Sequence, residues 1–96
     1  MTFDELVRSL ERDAPPEASA LVRALWLARK GDWDSAHKLA SDDAGTMAAR
    51  IHAYLHRVEG DLSNARYWYR QAGVSADAGT LEAEWVRLAR ELTTRQ

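Results

Sequence analysis

Leu25-Trp26-Leu27-Ala28-Arg29-Lys30-Gly31-Asp32-Trp33-Asp34-Ser35-Ala36 and Tyr54-Leu55-His56-Arg57-Val58-Glu59-Gly60-Asp61-Leu62-Ser63-Asn64-Ala65 align without gaps at an offset of 29 residues. Glycine, aspartate and alanine coincide, and Ala24 falls on Ala53. A period of this length marks stacked supersecondary units, none of which buries its apolar face alone. In each copy the glycine can adopt the left-handed conformation that closes a helix, and the aspartate can cap the next one. Small residues at 24, 36, 53 and 65 let two helices approach closely. Each copy therefore reads as a helical hairpin.

Working outward, Thr2 and Glu5 form a capping box at the start of a first helix over about 2–13, with Phe3, Leu6, Val7 and Leu10 as its apolar stripe. Pro15-Pro16 ends it, and Pro16 can open a second helix running to Lys30. Further helices are expected over about Trp33–Asp42, Thr46–Glu59 and Leu62–Ala72. The last spans about 80–94, capped by Thr80 and turning Leu81, Trp85, Leu88 and Leu92 inward. The repeat units are thus about 16–43 and 46–73, and the first and last helices act as caps. Seventeen Ala and eleven Leu against five Val and one Ile favour helix over sheet. The expected fold is one all-α domain over 1–96, a right-handed stack of antiparallel hairpins with about six helices.

The pattern Gly-Asp/Asn-aromatic-x-x-Ala, with an aromatic four residues on and a second alanine three beyond, is the second half of the tetratricopeptide repeat. Gly60, Asp61, Ala65, Tyr69 and Ala72 fit it, as do Gly31, Asp32, Trp33 and Ala36. The chain from Pro16 to Gly73 therefore resembles that family. The family's first-half tryptophan and leucine fall on Ala49 and His52, and the offset of 29 is shorter than the family's roughly 34 residues. His52–Gly73 also resembles small bacterial proteins carrying such a hairpin. The resemblance implies a module that meets a protein or peptide.

Composition narrows the classes. Thirteen Lys plus Arg against fifteen Asp plus Glu leave a net charge of −2, without the basic excess of a nucleic-acid binder. The absence of Cys removes disulfides, thiolate-bound zinc, iron–sulfur clusters and thiol nucleophiles. The acidic start Met1-Thr2-Phe3-Asp4-Glu5 is unlike a secretory signal, and the longest apolar run, Ala24–Ala28, is far short of a membrane span. A cytoplasmic protein is expected, without nucleic-acid or membrane partners. Eleven Arg against two Lys, with many Ala, is the composition of a GC-rich bacterial genome.

His52 and His56 lie one helical turn apart with Glu59 on the same stripe. Two imidazoles and a carboxylate at this spacing can hold zinc or another divalent ion, with His37 as a further ligand. The competing reading has His52 and His56 packing against the helix over 62–72. Arg66-Tyr67-Trp68-Tyr69-Arg70 mixes rings and cations as single-strand binders do. Helical phase, however, turns Trp68 and Tyr69 to the core and leaves Tyr67 beside Arg70. Together with Arg50 and Arg57, expected to face water, Arg66, Tyr67 and Arg70 form a partner-facing set. No nucleophile motif or phosphate loop stands out, so neither catalysis nor a cofactor is expected. The reading is a protein-interaction module; the alternative is a small-ligand or divalent-metal-binding protein using His52, His56 and Glu59. The Pro15-Pro16 break would leave the first helix loosely tethered, so a homodimer, where one forms, is expected to use it together with the exposed edge of helix two or three.

Overall fold

The computed structural model describes residues 1–93 and comprises six helices: α1 (Phe3–Ser9), α2 (Ala20–Arg29), α3 (Trp33–Ser41), α4 (Thr46–Glu59), α5 (Leu62–Ala72) and α6 (Leu81–Leu92). The expected end of the last helix at residue 94 lies outside the described residues.

The two Gly-Asp corners have the same geometry. Gly31 and Gly60 take φ of 89° and 86°, and the following aspartates take φ/ψ of −94°/75° and −90°/80°. The Asp32 N–H reaches back to the Leu27 carbonyl and the Asp61 N–H to the His56 carbonyl, each at 2.9 Å, the long bond of a Schellman turn. Asp32 then accepts from Ser35 N–H at 3.1 Å and Asp61 from Asn64 N–H at 3.2 Å, satisfying a first-turn donor of the next helix. At α1 both halves of the Thr2/Glu5 capping box are present.

Two boundaries differ from the sequence reading. Helix α2 begins at Ala20, because Ser19 offers a side-chain oxygen to Val22 N–H at 3.3 Å, whereas Pro16 has none to offer and is buried. Helix α1 ends at Ser9, and the chain continues to Arg12 through tighter i→i+3 turns. Nor is α1 loosely held. Leu6 is fully buried, the Trp26 indole N–H donates to Ser9 O at 3.1 Å, and Lys30 Nζ donates to Leu10 O and Arg12 O at 2.8 and 3.1 Å.

Helix α4 is the centre. It packs against α2, α3, α5 and α6, and eight of its fourteen residues are buried. Ala24 and Ala36 have no exposed surface and belong to the core that α2 and α3 share; Ala53 and Ala65 join Tyr69 in the core between α4 and α5. Helix α6, expected as an end cap, instead lies across both α2 and α4. Its Trp85 indole N–H donates to Leu25 O at 2.9 Å. Its inward face is rotated from expectation: Glu84 and Ala89 are buried beside Trp85 and Leu88, while Leu81 is exposed.

A Cβ added at Gly60 would meet no heavy atom within 4 Å, so the cost of a side chain there is conformational alone. Gly60→Ala is expected to destabilise by about 1–2 kcal/mol, lowering Tm by about 4–8 °C per kcal/mol. Thermal and urea unfolding check this, and Gly60→Asn should lose less because asparagine tolerates the left-handed region.

Candidate functional site

Helices α3 and α5 both rest on α4, and the chain's three histidines meet where they do. His37 comes from α3, and His52 and His56 from successive turns of α4. One ring nitrogen from each lies within 4.8 Å of the others. Ring centroids are 4.4 Å apart for His37 and His52, 5.0 Å for His52 and His56, and 5.4 Å for His37 and His56. Two indoles wall the group. Trp33, one turn before His37, stacks on it at 4.7 Å; Trp68 of α5 stacks on His52 at 3.9 Å with the rings 11° from parallel. Trp33 is fixed by its own N–H, which donates to Leu55 O on α4 at 2.6 Å.

The electrostatics follow from this enclosure. Burial, reinforced by His37 and His56, pushes the His52 pKa down to about 4; burial and the neighbouring His56 lower that of His37. At neutral pH both are uncharged rings carrying a lone pair. His56 Nδ1 sits 2.5 Å from Glu59 Oε1, and an ionised carboxylate only accepts, so that nitrogen carries the proton. Glu59 therefore serves His56 and not the shared centre of the three rings. Beside the cluster a pocket of about 330 Å³ opens between α3 and α5, with His52 and Trp68 among its walls and Ser41, Thr46 and Gln71 supplying polar groups.

The partner-facing residues separate into two groups. Arg50 and Arg57 are not left to water. Arg50 forms a two-pronged pair with Glu91 at 2.9 and 2.8 Å. Arg57, its side chain 15% exposed, donates to Glu84 Oε1 and to Gly79 O, each at 2.6 Å. Arg66, Tyr67 and Arg70 lie exposed on α5. Trp68 is partly buried and Tyr69 buried, as their phase requires.

Glu84 escaped the sequence reading. It is 3% exposed and accepts from Arg57 and from the Tyr69 hydroxyl, the latter at 2.6 Å; burial and this carboxylate raise the Tyr69 pKa. The signal was its phase: four residues before Leu88 and next to Trp85, it lies on the face those two residues bury.

No protein-family model, curated protein or solved structure matches the chain.

Two outcomes follow from these environments. Glu84→Ala should cost about 3 kcal/mol or more by taking the close carboxylate from the Arg57 guanidinium and the acceptor from the Tyr69 phenol, against about 1 kcal/mol for Tyr69→Phe, both read by denaturant unfolding. The second concerns acid. Because the folded-state pKa of His52 lies below its unfolded value near 6.5, the unfolded chain binds more protons between the two. Stability is then full above pH 6.5 and falls toward pH 4, by up to about 1.4 kcal/mol per pH unit for one such histidine. Melting curves across that window should show the loss, and His52→Phe, which keeps a ring against Trp68, should flatten it.

Proposed function

We propose that this chain is a protein-interaction module, a right-handed, tetratricopeptide-like stack of the hairpins 16–43 and 46–73, acting by surface complementarity rather than catalysis. In favour of the stacked-hairpin reading are the matched Gly-Asp corners and the buried alanine pairs of α2/α3 and α4/α5. A helical stack needs polar outer faces at its ends, or the uncovered face seeks a partner.

The observation that carries the reading is the outer face of α5. This helix packs on α4 through Ala65 and Tyr69, and its other side displays Leu62 and Tyr67, 55% and 46% exposed, with Arg66 and Arg70 one turn apart. Arg29, Arg50, Arg57 and Arg87 each meet a carboxylate. Among the described residues Arg66 meets only the Ser63 hydroxyl, and Arg70 has no such partner. Two uncommitted guanidiniums around a tyrosine and a leucine suit an acidic segment of a partner protein that inserts an apolar side chain between them. Tyrosine and arginine are the side chains that most often anchor such contacts. Helix α6 lies over α2 and α4, and the outer side of α5 stays exposed.

Binding to an array of short peptides graded in acidic and apolar content provides the test. Peptides combining carboxylates with an apolar anchor should bind in preference and weaken with salt. The double variant Arg66→Glu/Arg70→Glu should lose roughly tenfold or more in affinity, while Arg23→Glu on α2 should not. Equal binding by the double variant, or no preference for acidic peptides, would sink the reading.

A further inference from the structure

We infer that His37, His52 and His56 form a three-imidazole site for a divalent transition ion of the zinc, cobalt or nickel type, with a further position left to water or an exogenous ligand. The inference is independent of the α5 surface.

Four observations converge on it. The chain contains three histidines, and although 19 residues separate His37 from His56, all three place a ring nitrogen within 4.8 Å of one another. Helical spacing explains the pair on α4; the arrival of His37 from a different helix is a tertiary arrangement. Secondly, the rings are held by their faces. Trp33 stacks on His37 and Trp68 on His52, while His52 and His56 lie 27° from parallel and His37 meets both edge to face, so the three rings are packed as one group that turns about its side-chain torsions to aim its nitrogens at an ion.

Thirdly, His52 is 94% buried (6% exposed), yet neither its ring nor that of His37 makes a hydrogen bond within the described chain. Among the described residues no buried side-chain nitrogen or oxygen lacks a partner, so the ring nitrogens that make no hydrogen bond keep access to solvent and can meet an incoming ion. Fourthly, His56 is already equipped as a metal ligand. Its Nδ1–H is engaged by Glu59, which puts the lone pair of the neutral ring on Nε2. A carboxylate behind a histidine in this way fixes tautomer and orientation and strengthens the ligand. Glu59 is thereby a positioning residue.

The donor set defines the ion. Three neutral imidazoles and no inner carboxylate suit borderline ions such as Zn²⁺, and not Mg²⁺ or Ca²⁺, which require oxygen. Zinc–nitrogen bonds of about 2.0–2.1 Å place tetrahedral ligand atoms about 3.4 Å apart, so nitrogens now within 4.8 Å close by on the order of 1 Å, with the stacked His52 and His56 rings rotating to aim at one centre. Three protein ligands with a remaining position is the arrangement of open zinc sites.

A competing group, His56 with Glu59 and Asp61, gathers equally close donors at the exposed α4–α5 corner, and the test separates the two. Untagged, metal-stripped protein is titrated with Zn²⁺ by calorimetry and with Co²⁺ by visible absorption. Histidine ring resonances are followed by NMR, and circular dichroism checks the fold of each variant. One equivalent should bind with Kd on the order of 1 µM or tighter, shift the signals of all three rings and give the intensified visible bands of tetrahedral cobalt. His37→Ala and His52→Phe should weaken binding by roughly 100-fold or more, and Glu59→Gln by about 10–100-fold. Asp61→Asn, which keeps the α5 cap, should bind as wild type does. His37 is partly exposed, so His37→Ala decides the matter should His52→Phe fail to fold. Absence of saturable one-to-one binding would overturn the site. So would binding that survives His37→Ala but is lost in Asp61→Asn.

Discussion

A helix packed on four sides leaves few directions in which its polar side chains reach water, and α4 is in that position. Between α2, α3, α5 and α6 it carries Arg50, His52, His56 and Arg57 along with its apolar residues. Each needs an internal answer, because an unpartnered polar group away from water costs far more than an exposed one. The answers differ by direction. Toward α6 the two arginines find Glu91 and Glu84. Toward α3 and α5 the two histidines find aromatic faces, another imidazole and Glu59. The polar chemistry of the molecule is thus what α4 imposes on its neighbours.

The four tryptophans belong to the same account. Trp26, Trp33 and Trp85 each donate an indole N–H to a main-chain carbonyl of another helix or its end: Ser9, Leu55 and Leu25 in turn. A large ring fills the space between helices, and its single polar atom is satisfied by a helix it touches. Trp68 lends its face to His52 instead. Their number reflects how many junctions a small domain of six short helices must close.

Local signals carried most of the secondary structure in readable form. The Gly-Asp corners, the Thr2/Glu5 box and the caps at Asp32, Asp61 and Thr80 depend on residues a few positions apart, and all are present. What stayed hidden depends on how one helix rotates against another. His52 and His56 are legible as a pair because four residues make a turn; the closeness of His37 depends on the seating of α3, which no spacing encodes. Arg57 looked solvent-facing because a lone cation on a helix normally is. Its burial requires α6 to return over α4, and Glu84, the residue that makes this feasible, is marked in the sequence only by its phase relative to Leu88. Ser19 outcompeting Pro16 as the start of α2 is a finer matter: proline suits a first helical turn, but only an oxygen can cap one.

The return of α6 also changes what kind of cooperative unit the chain is. In a linear array each unit touches only its neighbours, so an end can peel away while the remainder stays folded. Here the Trp85–Leu25 bond joins residues 60 positions apart, and α6 grips α2 and α4 together while Phe3 of α1 packs on Trp85. Loosening either half of the chain strips cover from the other. Molecules caught with one half ordered and the other melted should therefore be scarce, and calorimetric and van't Hoff enthalpies should agree, the mark of a chain that lets go of its structure all at once.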